Sequence, residues 1–428
     1  MPERSFLAEM LQRIAGRGGR KSSKKPADLC SELLGDKGEV SGLVTAMNIL
    51  DAYEAMTPDQ KTLFFQDIAA GFSVDDKALE FAIAGWTPGN DAAAREIHMA
   101  AEPKSQELIR RLNRVPGATA RLVNMRADLL VALMENPGLN GLNIDFQHLF
   151  RSWFNLGFLE MRRMNWSTQA DILEKIIAYE AVHEITGWDD LRQRVATPDR
   201  RLFAFFHPAM PSDPLIFVEV ALTTGVPGAI GPILAKNRKS VDPHSARTAV
   251  FYSISNCQSG LRGISFGNFL IKQVVTDLEH EFPSLRQFVT LSPVPGLRRW
   301  ISDMASDRTA DLPPPLAKAV QDAKSTGKIP DEADLPELTA RYLLLARRSG
   351  NTALDSVAHF HLGNGATLHQ INIGADSSPR GIENSWGVMV NYLYHGGSIE
   401  ANHQAYATEQ KIAAAADIRV LAGLPKRP

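Results

Sequence analysis

From about residue 26 to residue 158 apolar side chains recur three and four apart, as in SGLVTAMNILDAYEAM and TARLVNMRADLLVALMENPG, and no β-branched alternating run interrupts them. That spacing lays one apolar stripe along each helix, so this half is predicted to be all helical. The turn signals Thr57-Pro58, Thr87-Pro88-Gly89, Val115-Pro116-Gly117 and Asn136-Pro137-Gly138 cut it into short antiparallel helices. A bridging helix follows, for which Thr168 and Asp171 have capping-box spacing ahead of Ile172, Leu173, Ile176 and Ile177. The texture then changes. RLFAFF (201–206), PLIFVEVALT (214–223), TAVFYSIS (248–255) and RQFVTLS (286–292) are strand-like apolar runs, interleaved with helical patterns at 266–281 and 336–348. The Pro-rich DLPPPL near 311–316 opens a helical insertion that runs to about 348. Farther on, HFHL and ATLHQINI flank Asn364-Gly365, a strong hairpin signal, so both are predicted to be paired strands. Alternation would put His359 and His361 on one sheet face and Phe360 and Leu362 on the other. Hairpins and helix crossovers together predict one mixed sheet, α/β or α+β.

The chain has 428 residues, more than one hydrophobic core usually organises, so two domains are expected: residues 1–150, helical and suited to assembly, and residues 151–428. A formal net charge of -2 gives no general attraction to nucleic acid. LIFVEVALTTGVPGAIGPILA (215–235) is apolar enough to suggest a membrane span, but Glu219, Pro227, Pro232 and its glycines mark a buried strand followed by a loop. Cys30 and Cys257 lie far apart without metal-ligand spacing, so neither a zinc site nor a disulfide is expected, and a reducing compartment, the cytoplasm, fits best. The basic run from Arg13 to Lys25 lacks the apolar core of a secretory signal; it is expected to be a flexible lead, an organellar transit segment being the alternative.

Three constellations could carry chemistry. Gly260-Leu-Arg262-Gly263-Ile264-Ser265-Phe266-Gly267-Asn268 stands between a strand and a helix, where backbone N–H groups and a helix N-terminus suit a pyrophosphate; a structural glycine turn is the plain alternative. The same loop contains G-x-S-x-G, which would make Ser265 a nucleophile with His361 as base and Asp355 or Asp376 behind it, but a nucleophile elbow needs its serine directly after the strand, and residues 256–264 intervene. In Thr290-Leu-Ser292-Pro293-Val-Pro295-Gly296 the prolines force the chain out of the sheet at Ser292, either a turn or a ligand-facing strand end. The third is the histidine pair of HFHLGNGATL, structural or able to run proton chemistry near neutral pH.

Together FYSIS, QSGLRGISFGNFLIKQVV, TLSPVPG, FHLGNGATL and ADSSPRG with VNYLY resemble the malonyl-CoA decarboxylase family, in the same order and with similar spacing, over most of residues 150 to 410. The resemblance implies an α+β chain: a helical, assembly-forming first domain, then a catalytic domain of the acetyltransferase-like mixed-sheet type. It implies Ser292 and His361 as catalytic residues, Arg262 through Asn268 as the CoA-contacting loop, a homotetramer, and conversion of malonyl-CoA to acetyl-CoA and CO2 without metal or organic cofactor. Arg380 and Tyr394 are lesser candidates, as a carboxylate-orienting charge and a pocket hydroxyl. Some members carry glutamate where this chain has Ser265, so an acidic helper to the histidine does not carry over. Acyl transfer from CoA to an amine and non-catalytic acyl-CoA sensing are the rival functions.

Overall fold

The computed structural model describes residues 25–35, 38–264, 269–305, 309, 312–327 and 333–426. The basic lead, and Ser265, Phe266, Gly267 and Asn268 of the glycine-rich loop, lie outside the described residues. Two compact units emerge. The first comprises the chain to Glu160 with the stretches Phe206–Leu215 and Cys257–Phe266; the second holds everything else.

The first unit is helical as predicted, with helices such as Glu39–Glu54, Pro58–Gly71, Ala118–Ala132 and Asn140–Trp153. Their apolar stripes meet in a core that includes Phe65, Leu122, Leu129, Phe146 and Phe150, each nearly inaccessible to solvent. Arg126 is fully buried among them and meets no carboxylate among its hydrogen-bond partners: it donates to Asn143 Oδ1 and to the carbonyls of Gly260 (2.6 Å) and Arg262 (3.0 Å). Four charge-assisted bonds to three acceptors offset part of the cost of burying a guanidinium and fix the start of the glycine-rich loop. Only glycine fits at 260, since a Cβ there would lie 1.8 Å from the Val123 carbonyl oxygen.

The second unit is built on an eight-stranded mixed sheet: β1 Glu160–Met164, β2 Arg200–Phe206, β3 Ile216–Thr223, β4 Thr248–Asn256, β5 Gln287–Thr290, β6 Ser292–Pro293, β7 Thr367–Asn372 and β8 Met389–Tyr394. The order is β1-β2-β3-β4-β5-β8-β6, with β7 on the other side of β8. β2, β3 and β4 run antiparallel, whereas β4 and β5 are parallel and joined through the helix Phe269–Glu281. That parallel pairing stops at Phe251↔Thr290. Beyond it β4 stays with β3 as far as Asn256, while the chain running on from β5, already paired with β8, keeps to β8 alone at Ser292↔Val390. The two strands therefore part at their carboxyl ends, and Pro293 and Pro295, which lack N–H groups, keep the gap from closing by pairing.

Several sequence expectations change. The segment around the two histidines is a helix, Ser356–Gly363, and not the first strand of a hairpin. Asp355 caps its start by accepting from Val357 and Ala358 N–H, both at 2.9 Å. Asn364-Gly365 does mark a turn, but one that ends the helix: Gly365 has φ +81°, Gly365 N–H returns to the Leu362 carbonyl, and Ala366 N–H to that of His361. This Schellman closure uses the same residues a hairpin would. His359 and His361 therefore point to different sides of a helix. The helix Ala170–Tyr179 starts after Gln169 with no side-chain cap; Thr168 Oγ1 instead accepts from Asn165 N–H and closes the preceding turn. Residues 215–235 form β3, a loop and the short helix Gly231–Leu234, and among the described residues no helix is long and apolar enough to cross a membrane. Cys30 and Cys257 are both buried. The insertion holds the helices Pro314–Thr326 and Leu335–Leu345.

Candidate active site

The parting of β4 and β5 opens a cavity of about 360 Å3, lined on the β4 side by Phe251, Tyr252, Ile254 and Asn256, by Ser292 and Pro293 opposite, and by Phe360 and His361 of the helix Ser356–Gly363. Val182, Ser356 and Val357 complete the lining, so among the described residues no side chain bearing a formal charge faces it. A larger cavity of about 1000 Å3 lies beside the helix Leu335–Leu345 but contains none of the candidate residues.

Ser292 and His361, 69 residues apart, meet here: Ser292 Oγ is 3.1 Å from His361 Nε2. Both are buried. Ser292 also donates to Thr290 Oγ1 at 2.8 Å, and Thr290 Oγ1 in turn accepts from Tyr392 N–H at 3.2 Å. On the far side of the ring, His361 Nδ1 is 2.9 Å from the Tyr394 hydroxyl. The imidazole lies flat on Tyr392, with centroids 4.6 Å apart and planes 26° apart. Among the described residues no carboxylate hydrogen-bonds the histidine.

Burial pushes the His361 pKa down to about 3 and the Tyr394 phenol well above its usual value, so both are neutral at pH 7. One tautomer satisfies the chain of hydrogen bonds. Tyr394 O–H donates to Nδ1, Nε2–H donates to Ser292 Oγ, and Ser292 O–H donates to Thr290; this is assigned from the network. The imidazole thus presents an N–H, not a lone pair, toward the serine. That polarity is opposite to the one that activates a serine nucleophile.

Tyr394, expected as a pocket hydroxyl, instead orients the histidine. Arg380 does not reach the cavity; it sits exposed on the helix Pro379–Ser385 and donates to the Ala181 carbonyl. Arg262 and Gly263 are exposed and Ile264 is buried, in the first unit. Neither carboxylate of the serine-hydrolase reading contacts the imidazole: Asp355 caps the helix, and Asp376 accepts from Ser378 N–H at 2.9 Å. Three residues escaped the sequence reading: Thr290, Tyr392 and Asn391. Asn391, wholly buried, donates to the Thr290 carbonyl at 2.8 Å and spans the break between β5 and β6. Only Thr290 had left a signal, being two residues from Ser292 on the same strand face.

A buried neutral histidine makes stability depend on pH. The unfolded chain, with a histidine pKa near 6.5, binds a proton that the folded His361 refuses until about pH 3. Stability is therefore full above pH 6.5 and falls as pH drops toward 3; His183, buried and pushed down to about 4, adds the same sign. For His361 alone the loss at pH 5 amounts to about 2 kcal/mol. Thermal melts from pH 7 to 4.5 should show Tm falling, and His361→Asn should flatten the slope by roughly one proton. An unchanged slope in that variant would mean that the imidazole is charged or hydrated.

Comparison with known proteins places these residues among relatives. Residues 157–427 match the family described as malonyl-CoA decarboxylase C-terminal domain, and residues 72–154 its N-terminal domain. Mitochondrial malonyl-CoA decarboxylase of the rat is 34% identical over 76% of this chain and 72% of its own length; that of the goose Anser anser anser is 33% identical over 74% and 69%. The crystal structure of malonyl-CoA decarboxylase from Rhodopseudomonas palustris superposes with a TM-score of 0.86 at 47% identity, covering 92% of this chain and 98% of that one. The Agrobacterium vitis structure gives 0.83 at 46% identity, covering 93% and 99%.

Proposed function

The chain belongs to the malonyl-CoA decarboxylase family of carboxy-lyases, and from that premise we propose that its cavity releases CO2 from malonyl-CoA by way of a thioester enolate, which Ser292 and His361 stabilise and protonate. The observation that carries this reading is the neutral hydrogen-bond chain Tyr394–His361–Ser292 in a cavity lined, among the described residues, by no charged side chain.

A malonyl carboxylate in that cavity meets no counter-ion among the described residues. It is worse solvated there than in water, whereas the state reached by breaking its bond to C2 has sent the charge to the thioester oxygen. Electrons of the breaking C–C bond move into the new C2–C1 double bond, and those of the C1–O double bond go to oxygen. An N–H or O–H donor at that oxygen is worth about 3 kcal/mol in comparable sites. His361 Nε2–H, alone or through the Ser292 hydroxyl, then gives its proton to C2, and water restores it, so one proton is consumed for each CO2 released. Tyr394 holds the ring in the tautomer that can do this. The segment Arg262 to Asn268 is proposed to hold the CoA phosphates, on the family resemblance.

Neither a metal nor an organic cofactor enters these steps. Purified protein should convert malonyl-CoA to acetyl-CoA and CO2 at a rate that EDTA leaves unchanged, with alkalinisation of a weakly buffered solution from which the CO2 is continuously swept before it hydrates to bicarbonate. Loss of activity with chelator and its return with a divalent metal would refute the scheme, and acetyl transfer to an added amine without CO2 release would favour the acyltransferase alternative.

A homotetramer assembled through the helical half is also proposed; Leu63, Phe81, Met99, Val131 and Met134 are exposed there, more apolar surface than solvated helices need. A reducing compartment, cytoplasm or organellar matrix, is proposed because two cysteines far apart in sequence form no disulfide framework.

A further inference from the structure

Asp355 is only 2% exposed, and its carboxylate gathers donors from two segments and lies against a third. Oδ1 accepts from Val357 and Ala358 N–H at the start of the helix that carries His361. Oδ2 accepts from the Tyr342 hydroxyl at 3.1 Å, on the helix Leu335–Leu345. The same oxygen lies against the backbone of Gly296, four residues after Ser292 and at the end of its Pro-rich turn. Gly296 lies so close that a Cβ on it would be 2.1 Å from the Tyr342 oxygen and 3.6 Å from Asp355 Oδ2. A serine would cap the helix about as well without the cost of a buried charge. What the carboxylate adds is its second oxygen, and that oxygen faces the segment of Ser292.

We propose that Asp355 is a positioning residue for the Ser292–His361 pair, one oxygen fixing the helix of His361 and the other the turn that follows Ser292. It touches neither substrate nor reacting atoms, and the pair's 3.1 Å separation depends on it. The inference rests on Ser292 and His361 being the reacting pair.

The test uses Asp355→Ser and Asp355→Asn in the full chain. Both side chains can cap the helix; Ser lacks the second oxygen, and Asn turns an amide donor toward donors. With the folded fraction counted by acetyl-CoA binding, kcat should fall about 10- to 100-fold, as expected for a reacting pair moved by a fraction of an ångström to an ångström, while KM for malonyl-CoA stays near the wild-type value. A purely structural Asp355 would lower Tm and leave kcat per folded molecule intact, which would overturn the proposal. Should neither variant fold, Gly296→Ala pushes on the same link from the other side with the cap untouched. It should show the same kcat loss, partly regained in Gly296→Ala with Tyr342→Phe, where the obstructing hydroxyl is gone; wild-type kcat in folded Gly296→Ala would overturn the proposal. His361→Asn measured alongside separates the two readings: if it is active, the assignment of the pair fails, whereas inactive His361→Asn beside active Asp355→Ser rejects the positioning role alone.

Discussion

His361→Asn is expected to lower kcat by about 100-fold or more, the loss typical of removing a general acid, while acetyl-CoA still binds. Asparagine retains a hydrogen-bond donor for Ser292 but no group that can give up a proton to carbon and recover it from water. The Tyr394 hydroxyl loses its 2.9 Å acceptor, and a buried unsatisfied hydroxyl costs about 1–3 kcal/mol, so the comparison belongs at a temperature where both proteins are folded. His359→Asn is the control. Its ring is half-buried and meets the Tyr406 hydroxyl at 2.9 Å on another side of the helix, so turnover should stay close to wild type. Single-turnover decarboxylation at saturating malonyl-CoA decides the matter. Near-normal turnover in folded His361→Asn would reduce the histidine to a structural role.

The two histidines also show where the sequence was legible. β2, β3 and β4 stood out because nearly every residue in them is buried, which leaves long apolar runs. Ser292 stood out because proline cannot continue a ladder. The helix of His361 did not, because it has eight residues and its two decisive signals sit outside the histidines, in the Asp355 cap and the Gly365 closure. Over so short a stretch, alternation of HFHL competes with a spacing of four between Val357 and His361 and between Ala358 and Leu362, and Asn-Gly serves either ending. Family resemblance singled out His361 over His359 where local pattern could not. β1, EMRRM, was illegible for another reason: a charged edge strand blunts association, so it looks like loop. β8 carries Asn391, a poor strand former, because that side chain bridges Thr290 to the Pro227 carbonyl. Arg380 drew notice as a charge near a motif, but nothing in a sequence reveals that its helix lies on the surface.

Ser292→Ala should lower kcat and kcat/KM together by about 100- to 1000-fold, the signature of a contact made in the transition state and not in the ground state. Two roles for the hydroxyl remain distinct: polarising the thioester carbonyl, or orienting the carboxylate that leaves. Acetyl-CoA separates them, because exchange of its methyl hydrogens in D2O passes through the same enolate but involves no carboxylate. In the resting site Ser292 is occupied by Thr290 and by the imidazole N–H, both neutral, at the mouth of the parting strands. A hydroxyl so placed gains most when it turns to an oxygen on which charge is developing, since binding a carboxylate equally well before and after the barrier would not accelerate the reaction. Ser292→Ala is therefore expected to lose methyl-hydrogen exchange as severely as decarboxylation. Exchange that survives while decarboxylation is lost would move Ser292 to the carboxylate and leave enolate stabilisation to His361 Nε2–H.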